Sequence, residues 1–90
     1  MELKDTIELM TSDDYKERIK AEYFQTKIRY SKLHSILMKA ETNTLDFQLS
    51  CSMEILRKQL HAMSEYLYSL EVRAEIEKID LKSEDSTISF

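Results

Sequence analysis

The chain has 90 residues, of which 42% are hydrophobic and 33% charged, with a formal net charge of −4 at pH 7. This length supports one small domain and excludes a multidomain enzyme. The chain contains no glycine and no proline. Phosphate-cradling loops, dinucleotide-binding turns and nucleophile elbows are excluded, because all of them need glycine where the backbone crowds. Since strand-rich folds need turn residues at regular spacing, the composition predicts an all-α protein.

The single cysteine, Cys51, cannot form an intramolecular disulfide or a CxxC metal pair. This usage fits a reducing cytosol. No apolar run approaches the roughly 20 residues of a membrane span, and the opening residues 1–5 lack the basic-then-apolar order of a signal peptide. We therefore expect a cytoplasmic protein without a membrane partner.

The first predicted element is a short N-terminal helix, because Leu3, Ile7 and Met10 are spaced i, i+4, i+7. The following residues, 11–14, read Thr-Ser-Asp-Asp and fit a helix start of the Ser/Thr-x-x-Asp/Glu kind. Met10 before the cap and Tyr15 after it are placed as a hydrophobic staple. This signal predicts that a long helix begins here.

Two long helices follow from two apolar seams with heptad spacing. The first helix is predicted to end near Glu41, and its seam comprises Ile19, Tyr23, Thr26, Tyr30, Leu33, Leu37 and Ala40. The second helix is predicted to start at a cap from Ser50 or Ser52, and its seam comprises Met53, Leu56, Leu60, Met63, Leu67, Leu70 and Ala74. Two matching seams joined by a short connector predict an antiparallel helical hairpin.

The connector is predicted at residues 42–44, where Asn43 is the strongest turn former. Leu45, Phe47 and Leu49 alternate with polar residues, which allows a short extended stretch that packs three apolar side chains on the hairpin. Periodicity is lost after Leu81. We therefore expect a single hairpin domain over residues 1–81 and a flexible tail over residues 82–90.

Apolar residues outside the seams need a cover: Phe24 and Ile28 on the first helix, and Val72, Ile76 and Ile79 on the second. One alternative is that the N-terminal helix covers part of this surface. The other is that a second chain does. Because exposed apolar stripes of this length are unusual in a monomer, we expect self-association.

The first long helix is basic although the protein is acidic, since residues 15–40 contain seven Lys/Arg and two acidic residues. At 100° per residue, Lys16, Lys20, Lys27 and His34 lie within about 40° of one another, with Tyr23 just inside them. Ammonium groups beside an aromatic ring suit a phosphate-bearing ligand whose base stacks on the ring. The alternative is an ordinary solvated helix face.

The acidic terminal segments, residues 1–14 and 80–90, oppose binding of a long polyanion, and the chain lacks a helix-turn-helix signature. We therefore expect no duplex nucleic acid as a partner. The two histidines, His34 and His61, lack the spacing of a metal site, and Cys51 has no assigned base. The sequence predicts no enzyme, no cofactor and no metal.

The second helix offers two further groups of candidate residues. Tyr66 and Arg73 share one edge, and Arg57, His61 and Tyr68 share the other. Tyr and Arg are common in oligomer interfaces as well as in ligand sites. Both interpretations remain open for these residues.

Three segments resemble the phage sponge proteins that sequester cyclic-nucleotide messengers of CBASS and Thoeris immunity. They are residues 14–22, DYKERIKAE; residues 27–33, with Lys27, Ile28, Lys32 and Leu33; and residues 56–66, with Leu56, Gln59, Leu60, Met63 and Tyr66. The resemblance covers residues 14–76. It implies an oligomer of helical hairpins, dimers or a hexamer, that holds its ligand between protomers without catalysis.

The same resemblance implies a cyclic di- or trinucleotide or a cyclic ADP-ribose-type ligand. Lys20 matches the phosphate-binding lysine of the family and Arg73 its later arginine, while Tyr15 or Tyr23 takes the place of an aromatic further upstream. The predicted binding residues are Tyr15, Lys16, Lys20, Tyr23, Lys27, Tyr66 and Arg73. The alternative function is a helical adaptor or inhibitor that binds a host defence protein through an exposed apolar face.

Overall fold

The structure is a computed structural model that describes residues 1–82. A 3₁₀ turn, Leu3–Thr6, leads into α1, Ile7–Met10, which is followed by α2, Tyr15–Glu41, and α3, Met53–Glu77. The described residues contain no strand, so the all-α prediction with one short and two long helices is confirmed. The start of α2 contacts the end of α3, and the end of α2 contacts the start of α3. The two long helices are therefore antiparallel.

The N-cap of α2 is Asp14, three residues later than the capping signal predicts. Its Oδ1 accepts a 2.9 Å hydrogen bond from the Lys16 amide. Thr11 instead closes α1, since its amide and its hydroxyl both donate to the Ile7 carbonyl, at 3.0 and 2.8 Å. A threonine that bonds back to residue i−4 is no longer available to cap the next helix.

Both predicted seams are confirmed, because every one of their residues is buried or half-buried. The core lies near the open end of the hairpin, opposite the connector. There Ile19, Leu70, Ala74 and Ile79 form one cluster, with Tyr23 and Leu81 packed against it. Ile79, which is outside the seam, thus belongs to the core of the chain itself.

The N-terminal segment packs on a second face of α2. Thr6 on this segment is completely buried, and its hydroxyl accepts a 2.9 Å hydrogen bond from Gln25 Nε2. Phe24, the neighbour of Gln25, is only 7% exposed, and Ile28 is half-buried. The expectation that Phe24 offers a surface to a second chain is therefore wrong. Of the apolar residues outside the seams, Val72 and Ile76 remain exposed, at 40% and 75%.

Each long helix ends at a left-handed residue, although the chain has no glycine. Asn43 follows α2 and Lys78 follows α3, both with φ of 59°. The turn at Lys78 lets the Ile79 amide donate to the Ala74 carbonyl at 2.8 Å. This hydrogen bond directs Ile79 into the core.

The connector spans residues 42–52 and has no extended pairing. Leu45 and Leu49 are half-buried, but Phe47 is 54% exposed, so the prediction that all three pack on the hairpin is wrong for Phe47. Ser52 provides the cap of α3, since its Oγ accepts from the Ile55 amide at 3.3 Å. Of the tail predicted to be flexible, residues 83–90 lie outside the described residues.

Candidate ligand-binding surface

Three predicted binding residues converge on Glu77 at the open end of the hairpin, two on its carboxylate and one on its backbone carbonyl. The Tyr15 hydroxyl donates to Glu77 Oε1 at 2.8 Å, and Arg73 Nε donates to Glu77 Oε2 at 2.8 Å. Lys16 Nζ donates to the backbone carbonyl of Glu77 at 3.2 Å. The lysine ammonium thereby meets the negative end of the α3 dipole. The structure brings these residues together around an acidic side chain that the sequence does not single out.

The electrostatics of this cluster favour an ionised carboxylate. The hydrogen bonds from Arg73 and then from Tyr15 hold the pKa of Glu77 below its ordinary value. The same Glu77 hydrogen bond raises the pKa of Tyr15, because it stabilises the neutral phenol. Donors of this kind also suit a phosphate, but here Glu77 occupies them.

A second tyrosine–glutamate pair lies on the other edge of the seam. The Tyr23 hydroxyl donates to Glu71 Oε2 at 3.1 Å. Burial of the phenol raises the pKa of Tyr23 to about 12, with further contributions from the charge and hydrogen bond of Glu71. The ring packs edge-on against Phe24, with the centroids 5.7 Å apart. Tyr23 thus combines a core role with a hydroxyl at the surface.

Lys20 and Lys27 lie on the Tyr23 edge of α2. Lys20 is half-buried and Lys27 is exposed. Lys27 Nζ lies 5.9 Å from the centroid of the Tyr30 ring, a cation–π distance. Within residues 1–82 neither ammonium is hydrogen-bonded or ion-paired with a carboxylate. These two cations are available to an anion from outside.

Tyr66 and Arg73 lie on the opposite edge of the hairpin. They are seven residues apart on α3 and so share the face that holds Glu77. Tyr66 is 40% exposed. At 100° per residue, Tyr15 and Lys20 diverge by about 140° around α2. This rotation separates the edge of the hairpin that holds Glu77 (the Glu77 edge) from the edge that holds Lys20 and Lys27 (the lysine edge). Lys16 lies on the lysine edge of α2 but reaches the Glu77 carbonyl. The other predicted residues of one protomer are divided between the two edges.

A groove at the connector end contains residues outside the predicted binding set. It encloses about 250 Å³ and is lined by His34, Leu37, Met38, Glu41, Arg57 and Leu60. The Arg57 guanidinium donates twice to Glu41 Oε1, at 3.1 and 2.8 Å. The sequence places these two residues 16 positions apart, and only the closed hairpin brings them together.

The remaining candidates stay apart from one another. His61 Nε2 lies 3.1 Å from Glu65 Oε1 on the exposed face of α3, and Cys51 is a half-buried free thiol. Nowhere in the described part of the chain do three His, Cys, Asp or Glu side chains gather as a metal site would require. None of the helices over residues 1–82 has the length and apolarity to cross a bilayer.

Comparison with known families decides the kind of protein that carries this surface. Residues 13–76 match the family model named Sequestin. The chain belongs to the Sequestin family. The matched segment is nearly the one over which the sequence resembles sequestering phage proteins, so that resemblance is confirmed. The family name indicates sequestration of a ligand by binding. No curated protein and no solved structure gives a significant match to this Sequestin-family chain.

Proposed function

We propose that this Sequestin-family protein is a phage counter-defence protein that sequesters a cyclic-nucleotide immune messenger without cleaving it. The messenger is a cyclic di- or trinucleotide or a cyclic ADP-ribose-type molecule, bound in the cytoplasm of the infected bacterium. Sequestration needs a preorganised site and no catalytic group. The family match supports binding as the activity.

The observation that carries the proposal is the pair of available cations beside aromatic rings. Lys20 and Lys27 lie along one edge of α2 together with Tyr23 and Tyr30, and neither lysine is paired with a carboxylate of residues 1–82. Some cations elsewhere on the protein already have carboxylate partners, as in Arg57 with Glu41 and Lys58 with Glu54. An incoming phosphate therefore meets ammonium groups that need not release another anion first.

The division of the predicted residues supports an oligomer. Tyr66 and Arg73 lie on the edge opposite to Lys20 and Lys27, so they reach the same ligand only from a second protomer. We propose a dimer, or dimers assembled into a hexamer, in which the two unlike edges meet. Tyr15 joins this site directly only where a phosphate replaces the Glu77 carboxylate. Lys16 joins it from its hydrogen bond with the Glu77 backbone carbonyl.

The second candidate function is a helical adaptor or inhibitor of a host defence protein. One observation favours it: Val72 and Ile76 are 40% and 75% exposed and lie one turn apart on α3. An adaptor forms a stoichiometric protein complex and binds no cyclic nucleotide.

The test is a thermal-shift panel of cyclic dinucleotides, cyclic trinucleotides and cyclic ADP-ribose isomers with the purified protein. A ligand that binds only the folded state raises the unfolding midpoint. We expect one class to do so, and to be recovered chemically intact, in proportion to protein, after heat denaturation. Hydrolysed ligand in excess of one equivalent per site contradicts sequestration. A flat response across the panel contradicts cyclic-nucleotide binding and favours the adaptor.

A further inference from the structure

We propose that the groove between the end of α2 and the start of α3 binds a purine base of the ligand. This inference rests on the proposed function, since it assigns the base subsite of the same ligand whose phosphates meet Lys20 and Lys27. The residues concerned are His34, Glu41 and Arg57, none of which belongs to the predicted binding set.

The size and lining of the groove fit one flat heterocycle. Its volume of about 250 Å³ falls below the ~300 to 1,000 Å³ of pockets that hold a whole drug-sized ligand, so it suits one part of a larger molecule. Leu37, 4% exposed, and the half-buried Leu60 supply apolar surface. A few polar groups on an apolar lining are the usual composition of a small-molecule site.

The wall of the groove carries an aromatic ring that is already held in place. The His34 ring stacks on Tyr30, with centroids 6.0 Å apart and planes inclined by 23°. Tyr30 lies against one face of the imidazole and restricts its rotation, and a restricted ring loses less entropy when a base stacks on its other face. Stacking of this kind accepts several different bases, because every base has a flat aromatic face.

The rim of the groove carries both hydrogen-bond donors and acceptors, which suits the edge of a base. Arg57 donates two hydrogen bonds to Glu41 Oε1, which holds the planar guanidinium in one orientation. A guanidinium offers donors to ring nitrogens and carbonyl oxygens, and a carboxylate accepts from exocyclic amines. A purine presents both kinds of group along its edge.

The groove shares a face of α2 with the proposed phosphate contact at Lys27. His34 and Lys27 are seven residues apart, about 10 Å along α2 at roughly 1.5 Å per residue, and on the same face. The Tyr30 ring lies between them, with its centroid 5.9 Å from Lys27 Nζ and 6.0 Å from the centroid of the His34 ring. A nucleotide with its base in the groove therefore extends its sugar and phosphate along this row toward Lys27.

The experiment separates the base from the phosphate. Adenosine and guanosine, which carry no phosphate, are titrated into the full-length protein while backbone amide shifts are followed by NMR. We expect shifts at His34, Glu41 and Arg57. His34→Ala should weaken nucleoside binding by at least about fivefold, the lower range for loss of one stacking partner.

Matched controls are His61→Ala and Lys58→Ala, which alter exposed residues of α3 outside the groove. We expect both to bind nucleosides within twofold of the unaltered protein, and Arg57→Ala to bind more weakly than Lys58→Ala. Equal effects of His34→Ala and His61→Ala, or no shift at the groove amides with either nucleoside, overturn the inference.

The same variants distinguish this inference from the proposed function. A cyclic nucleotide that binds the protein and its His34→Ala and Arg57→Ala variants equally leaves sequestration standing and overturns the base subsite. Nucleosides that bind in the groove while no cyclic nucleotide of the panel binds leave the subsite standing and contradict sequestration.

Discussion

The hydroxyl of Tyr15 donates a 2.8 Å hydrogen bond to the carboxylate of Glu77, a residue 62 positions further along the chain. Tyr15 is the first residue of α2 and Glu77 is the last residue of α3. The bond therefore joins the two helices at the open end of the hairpin, where no connector holds them. Arg73 and Lys16 reinforce it from the two helices.

This junction predicts that the folded protein loses stability at acid pH, because Glu77 becomes protonated. Its pKa is lowered from 4.5 in the folded protein, so its contribution is complete above about pH 4.5. The contribution is lost as the pH falls through the lower folded pKa. Urea unfolding from pH 7 to pH 3 should show Glu77→Gln less stable than the unaltered protein at pH 7, with the difference shrinking toward pH 3.

The control for this measurement is Glu75→Gln, on an exposed residue of α3 two positions away. Its unfolding free energy should follow that of the unaltered protein at every pH. If Glu77→Gln differs from the unaltered protein equally at pH 7 and pH 3, ionisation of Glu77 does not stabilise the junction.

Lys20→Ala and Lys27→Ala should each weaken cyclic-nucleotide binding by about 1.5 to 3 kcal/mol, the range for hydrogen bonds to charged groups. Isothermal titration calorimetry measures the change. Raising the salt concentration should weaken binding further, because the Debye length falls from about 10 Å at 0.1 M to about 3 Å at 1 M. Lys32→Ala, on another face of α2, serves as the control and should bind normally. Undiminished affinity in the double variant would show that this edge is an ordinary solvated face.

Self-association should depend on Ile76, which is 75% exposed. Ile76→Glu should lower the mass measured by light scattering behind a sizing column, since an unpaired charge inside an interface is strongly unfavourable. Ile55→Glu, at a residue that is 57% exposed near the start of α3, is the control. A mass near 10.7 kDa for the unaltered protein across a dilution series contradicts self-association. Phe24→Glu is unsuitable for this purpose, because Phe24 is buried and a buried unpaired charge destabilises the fold itself.

Lys78→Gly should stabilise the fold. Lys78 has φ of 59°, a left-handed conformation that costs a side chain with a Cβ roughly 1 to 2 kcal/mol and costs glycine little. Part of the gain is offset by the greater freedom of glycine in the unfolded chain, so we expect about 0.5 to 1 kcal/mol from urea unfolding. Asn43→Gly should gain less, since asparagine tolerates this region. A loss of stability in Lys78→Gly would contradict the assigned turn.

The sequence by itself determined the helices and the seam between them. Period and composition act locally: heptad spacing from Ile19 to Ala40 and from Met53 to Ala74 defines one buried face on each helix, and a chain without glycine or proline has few ways to interrupt them. The rotation of 100° per residue in a helix also places Lys20 and Lys27 on one edge of α2. The family resemblance also rests on local segments of the sequence.

Only the tertiary structure decided which side chains meet across the seam and which apolar residues are covered. Tyr15 with Glu77 and Arg57 with Glu41 are distant in sequence, and their contact depends on the register of the two helices, which a heptad pattern leaves free to slide by whole turns. Phe24 and Ile76 look alike as apolar residues outside the seams. The N-terminal segment packs on the face of α2 that holds Phe24, and residues 1–82 place no such cover over Ile76, because burial depends on where the rest of the chain folds.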